Sequence, residues 1–331
     1  MAKELAVQRV LKGKIAPRSK FSKWLRDNRG FLFVSPAVII FLVFGLYTVV
    51  YSFVLSFFRW NSLSKFSLIP PVCEAPGCAF VGLRNYQDFL YRTAGVSKLF
   101  WMALQNNAVI VIVVPTVTIL VGLLVAIALN RAGKIAPLFR TFMMLPMVTA
   151  GVAIYFTWSS IFLSDGPLNE MLKSIGLGFL SAKHGWLGGA QTALPALMVV
   201  MIWSSLPSAI ILYMAGLQTI DPELYEAAII DGANGWHMLW AITWPLLRPV
   251  TVITLILGIN AALQGFEMPL LMTHGGPANH TQVVGLRIFS FGFGNDNQAG
   301  IASAMGWGLF LVVFLISLVN MRLFRSKTEE K

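Results

Sequence analysis

Charge is scarce in this chain. Of its 331 residues 12% are charged, where a soluble domain carries about 25%. Hydrophobic residues make up 56% and mean hydropathy is +0.72, a balance that excludes an ordinary soluble protein. Cysteine is nearly absent: Cys73 and Cys78 are too few to complete a four-ligand zinc site. The phosphate loop GxxxxGKS/T is missing, as is a GxGxxG set between a strand and a helix. If ATP drives this protein, the ATPase is another chain. HExxH, paired histidines and Cys–His clusters are also missing, and His184, His237, His274 and His280 stand far apart in expected loops. No catalytic group, metal or cofactor is therefore assigned to this chain. The net charge of +11 comes without an aromatic-interleaved basic patch. That argues for an acidic lipid surface as partner and against nucleic acid. There is no repeat array, no low-complexity tract and no soluble second domain.

What the chain has is apolar runs, each long enough to cross a bilayer core of about 30 Å. Backbone groups in lipid need internal partners, so such runs are helices unless they close a barrel. They far exceed barrel strands of about 10 residues. The expected fold is an all-α polytopic membrane protein with six spans, at about 31–58, 106–129, 139–163, 192–217, 249–272 and 299–321. Residues 1–30 form a basic tail, with Phe21–Leu25 on the membrane surface. A long polar loop covers 59–105, and 322–331 is a second basic tail. Residues 31–321 form the single membrane domain. Lysine and arginine fall seventeen on the side of both tails and eight on the other. Basic residues favour the cytoplasm, so both termini and the loop 218–248 are expected there. Cys73 and Cys78, in the loop on the other side, close a small hairpin if that side is oxidising; two free thiols are the other reading.

The loop 218–248 holds the most informative stretch, Asp221 to Pro245. Asp221 is a good N-cap, Pro222 suits the first helical position, and Glu223 suits the positive end of the helix dipole. Gly232 stands where a left-handed C-terminal cap is needed. The reading is a short helix over 222–230, carrying small residues Ala227 and Ala228 that admit close approach of another surface. Its acids Asp221, Glu223, Glu226 and Asp231 break the basic trend of that side, which points to a basic protein partner.

Polar residues inside spans are costly in lipid and mark cavities or bundle interiors. Asn260, Gln264 and Glu267, at i, i+4 and i+7, are expected on one face of a continuous fifth span. Ser204, Ser205 and Ser208 surround Pro207 in the fourth; helix packing is the other reading for these serines. Trp203 and Phe266 offer flat faces on which the ring of a solute can stack. Pro115, Pro146, Pro195 and Pro269 mark expected bends.

Glu226-Ala227-Ala228, Gly232, Ile242 and Pro245 resemble the EAA loop of ABC-importer permeases, departing at Trp244 where the family usually has leucine. The neighbouring LPSAIILYMAGLQTIDPELYEAAIIDGA, the FVGLRNY of residues 80–86, the PLFRTFMMLP of 137–146 and the HGGP turn of 274–277 resemble the maltose-type and glycerol-phosphate-type sugar permeases. The resemblance covers nearly the whole chain. It implies a type I importer permease fold in a bacterial or archaeal cytoplasmic (inner) membrane. It further implies a second, related permease, two copies of an ATPase that holds ATP and magnesium, and an extracytoplasmic solute-binding protein. Leu224, Tyr225, Glu226, Ala227, Ala228, Asp231 and Gly232 would then couple this chain to the ATPase. Aligning by the EAA register brings the family's sugar site onto Ser204, Ser205, Ser208, Gly258, Ala261, Ala262 and Gly265, with contacts shifting to Asn260 and Gln264. The implied cargo is a mono- or oligosaccharide. A polyol or glycerol-phosphate ester is the alternative, and an ATP-independent secondary transporter would need more buried carboxylates than Glu267.

Overall fold

The structure is a computed structural model that describes residues 29–60, 66–68, 71–73, 78–294 and 298–325. The expected surface segment Phe21–Leu25, the rest of the N-terminal tail to residue 28 and the last six residues lie outside them. The chain divides into two compact units, Met1–Val54 and Leu55–Lys331.

In the first unit, α1 (Arg29–Ile40) runs through a π-helical stretch, Phe41–Leu46, into α2 (Tyr47–Leu55). Its side chains are almost all apolar and exposed, as a lipid-facing span requires.

The second unit opens with β1 (Phe58–Arg59), followed by the hairpin β2 (Phe66–Leu68) and β3 (Pro71–Cys73). β4 (Ala79–Phe80) returns antiparallel to β1, pairing Phe58 with Phe80. Cys78 is disulfide-bonded. The side chain of Cys73, the chain's other cysteine, lies outside the described residues. Asn85, 4% exposed, fastens this loop by donating from Nδ2 to Ser56 O at 2.8 Å and Phe58 O at 2.9 Å.

The helices follow. They are α3 (Ala94–Arg131), α4 (Ala136–Val148), α5 (Gly151–Ile161), α6 (Pro167–Ser174), α7 (Ala193–Leu217) and α8 (Pro222–Ile230). Next come α9 (Gly235–Leu246), which contains a π-helical turn, α10 (Arg248–Gln264), α11 (Glu267–Thr273), α12 (Val284–Phe293) and α13 (Ala299–Arg325). With Phe33–Leu55, Ala94–Arg131, Ala193–Leu217 and Ala299–Val319, four helices are long and apolar enough to cross a membrane. Counting each of two bent pairs, α4 with α5 and α9 with α10, as one span gives up to six.

Several expected spans take a different form. The second begins at Ala94, not near 106, so α3 reaches back into the expected loop and at 38 residues is about 57 Å long. The third is not one helix. Pro146 sits two residues before the end of α4, Thr149 and Ala150 are extended, and α5 leaves at 101°. The fifth ends at Gln264, because Gly265 is extended (φ −67°, ψ 121°) and α11 starts afresh at Glu267. The expected loop 273–298 contains α12. Of the prolines, Pro115 and Pro207 lie inside unbroken helices. Pro195 and Pro269 sit in first turns, where a missing N–H costs nothing.

Packing fixes the helix directions. Thr118 meets Ser205 and Gly122 meets Ala209, so α3 and α7 run parallel. Asn107 meets Ala262 and Pro115 meets Gly258, so α10 runs antiparallel to α3. The ends at Arg131, Leu217 and Arg248 therefore share one side. Near them Ile119, Leu123, Tyr213, Met214, Leu217 and Leu247 form a buried cluster. Asn107, fully buried, bridges three helices. Its Nδ2 donates to Ala262 O (3.0 Å), and its Oδ1 accepts from Val284 N (2.8 Å) at the start of α12.

Candidate functional site

Two features concentrate polar groups. The first is α8. Asp221 caps it, its carboxylate accepting from Glu223 N at 3.0 Å. The other end closes in a Schellman arrangement, with Gly232 N donating to Ile229 O (3.0 Å) and Ala233 N to Ala228 O (2.9 Å). Gly232 has φ 78°, a conformation a side chain resists. Asn234 then caps α9 by accepting from His237 N at 2.8 Å, which places His237 on a helix, not in a loop. Both ends of α8 are thus fixed by local hydrogen bonds.

No residue of α8 is buried. Tyr225 alone leans on the core, and its hydroxyl meets Thr243 Oγ1 of α9 at 3.0 Å. Glu226 and Asp231 are exposed, and Glu226 has no ion-pair or hydrogen-bond partner among the described residues. Leu224 is 47% exposed, Ile229 61% and Ile230 85%. The two isoleucines were not singled out from the sequence. Apolar and acidic side chains are thus exposed together on α8. Ala227 is exposed and Ala228 half-buried.

The second feature is a cavity of about 500 Å³ between α3, α5, α7, α10 and α11, within the usual ligand-pocket range. Ser204, Ser205 and Ser208 line it, as do Gly258, Ala261, Ala262 and Gly265, and so do Gln264, Phe266 and Glu267. All seven positions reached through the EAA register therefore face one space. Trp203 does not: it packs edge-on against Trp158 at 5.6 Å, among Ile154, Leu197 and Met268. Nor does Asn260, whose Nδ2 is bonded back to Ile256 O at 3.0 Å. The continuous face of Asn260, Gln264 and Glu267 is corrected for the same reason that the span is. The extended Gly265 ends the helical period, and Glu267 enters the cavity from α11. Pro269 held the signal, since proline at the third position suits a helix that begins at Glu267.

Sequence reasoning missed Thr118, Tyr155 and Thr254, which also line the space. Some of the polar groups are already engaged. Ser205 Oγ donates to Ile202 O (2.9 Å) and pairs with Thr118 Oγ1 (2.8 Å), and Thr254 Oγ1 donates to Val250 O (2.9 Å). Ser204 Oγ is buried without a partner among the described residues, the state that a ligand relieves. Ser208, Gln264 and Glu267 are exposed to the cavity and make no side-chain hydrogen bond among the described residues. Phe266 stacks on Phe289 at 5.4 Å and 26°. Gly258 allows the close approach of α10 to α3, because a Cβ there would lie 3.0 Å from Pro115 Cβ.

Apolar spans around a mostly apolar cavity that holds a few unpaired polar groups, with an exposed capped helix strung between two of its walls, have the form of a transport permease. Residues 89–326 match the family described as binding-protein-dependent transport system inner membrane component. The chain belongs to this family: it is an inner-membrane permease of an ABC importer, the membrane component of a binding-protein-dependent transport system. It is 30% identical over 303 residues to the probable ABC transporter permease protein YurN of Bacillus subtilis (strain 168), covering 91% of this chain and 97% of that one. It is 31% identical over 305 residues to the lactose transport system permease protein LacF of Rhizobium radiobacter (91% and 95% covered). To the trehalose/maltose transport system permease protein MalF of Thermococcus litoralis it is 30% identical over 308 residues (93% and 97%). Among solved structures, a chain of a bacterial ABC transporter involved in the import of the acidic polysaccharide alginate superposes with a TM-score of 0.75. That match has 21% identity and covers 94% of this chain and 100% of the other, a likeness of fold.

Proposed function

We propose that this permease carries a saccharide, handed over by an extracytoplasmic binding protein, through the cavity between α3, α7, α10 and α11. The observation that carries the reading is the set of unpartnered groups on an apolar bed. Ser204, Ser208, Gln264 and Glu267 offer hydroxyl, amide and carboxylate, while Phe266, Met201 and Leu257 supply apolar surface. Sugars present hydroxyl edges and C–H faces to such a lining. The names of LacF and MalF support the same class of cargo.

Coupling runs through α8. A second related permease completes the pathway, and two ATPase copies, which hold ATP and magnesium, sit on the side of both termini. α8 seats on one ATPase copy, with Leu224, Ile229 and Ile230 as apolar contacts and Glu226 facing a basic residue. Four residues join α8 to α7 and four join it to α9, and Tyr225 clasps α9. Closure of the ATPase pair therefore displaces both cavity walls together, because α7 and α10 carry Ser204, Ser208 and Gln264.

The test is to purify the full chain from its native source as wild type, Glu226→Ala and Gly232→Pro. The wild type should bring a second permease and an ATPase, and each substitution should abolish ATPase association or saccharide uptake. A wild-type chain that purifies alone and transports in liposomes without ATP would overturn the reading.

A further inference from the structure

The residues lining the cavity carry one formal charge, and it is negative. Among the described residues no lysine, arginine or histidine lines it; the ionisable groups are Glu267 and the neutral phenol of Tyr155. Arg287, on neighbouring α12, sits over the Phe291 ring at 4.7 Å and is absent from the lining. Glu267 is placed with intent by the backbone. The extended Gly265 interrupts the fifth span, and the new helix starts with the carboxylate exposed to the cavity and unpaired among the described residues. α10 rises about 25 Å from Arg248 before this break, so Glu267 stands at the end of the cavity away from α8. A solute arriving from the binding protein meets it first.

A lone carboxylate between apolar walls acts over a longer range than one in water. The walls focus its field, and the effective dielectric constant falls well below that of bulk solvent. Its free lone pairs accept hydrogen bonds from sugar hydroxyls or ammonium groups. Toward another carboxylate, or a phosphate, it offers only repulsion, and no cation on the lining offsets that.

We propose that Glu267 is a charge filter. It admits neutral and amino-substituted saccharides and rejects uronates and sugar phosphates. This rests on the saccharide reading and narrows it. Ser204 on α7 and Gln264 at the end of α10 then bind whatever passes.

The test uses the complex as purified from its source, in nanodiscs and without the binding protein, whose own selectivity would mask the effect. The probes are gluco-, galacto- and manno-configured disaccharides, each paired with its uronate, so that partners differ only in hydroxymethyl against carboxylate at C6. A glucosamine disaccharide supplies the cationic case. Dissociation constants are read by calorimetry. In the wild type the uronate of every binding pair should be at least tenfold weaker than its neutral partner. Glu267→Gln should shrink that ratio at least tenfold, and Glu267→Asp, which keeps the charge, should preserve it. Equal binding of neutral and anionic partners by the wild type, or a ratio unchanged in Glu267→Gln, overturns the filter while leaving a saccharide permease. If none of the seven probes binds, the saccharide reading fails and the filter falls with it.

Discussion

Asn107 shows how much one side chain can settle in an apolar setting. It is fully buried and joins α3 to the end of α10 and the start of α12. Replacing it with leucine leaves a backbone N–H and a carbonyl without partners, each costing about 1–3 kcal/mol where water cannot reach. Asn107→Leu should therefore lower the apparent Tm of the detergent-solubilised protein by several degrees, whereas Asn106→Leu, on a half-exposed pair of bonds, should lower it less. Equal shifts would mean that burial of the bridge is unimportant. This role was not legible in the sequence. An asparagine in a long apolar run announces a cost, but its partners lie 155 and 177 residues away. Asn169 is similar: it donates to Ala182 O and accepts from Trp186 Nε1, organising the segment that joins α6 to α7. The cavity serines, by contrast, were legible, because hydroxyls beside Pro207 in a span already ask for a reason.

At the scale of elements, legibility followed the range of the signals. α8 was readable to the residue, because Asp221, Pro222 and Gly232 act within one turn of where they stand. The breaks within the third and fifth spans were legible only in part: Pro146 and Pro269 stand three and four residues from Thr149 and Gly265, and nothing else in the local composition fixes where the helices stop. A prediction follows for α8. Asn and Asp cap helices about equally well, while alanine costs about 1 kcal/mol. If cap geometry holds α8 rigid, Asp221→Asn should retain ATP-driven uptake and Asp221→Ala should reduce uptake per ATP hydrolysed by at least half. Uptake lost equally in both variants would assign the effect to the charge, not to the cap.

For the molecule as a whole, the packing adds an argument that basic-residue placement alone lacks. Parallel α3 and α7 with antiparallel α10 put Arg131, α8 and Arg248 on one side, opposite the loop of the disulfide-bonded Cys78. Disulfides persist in oxidising compartments, so α8 is expected in the cytoplasm. In a chain lacking both native cysteines, Ala227→Cys should react with an impermeant maleimide only after permeabilisation, and Lys183→Cys should react in intact cells. The reverse pattern would invert the topology. That arrangement also bears on the life of the protein before assembly. Ile229 and Ile230, 61% and 85% exposed, form an apolar patch that the proposed docking on an ATPase would cover. With α8 in the cytoplasm and docked as proposed, a newly made subunit without its ATPase would show the cytosol the kind of surface that chaperones and proteases survey. On that docking, its abundance should follow the supply of its partner more than its own synthesis, and an orphan copy should be short-lived.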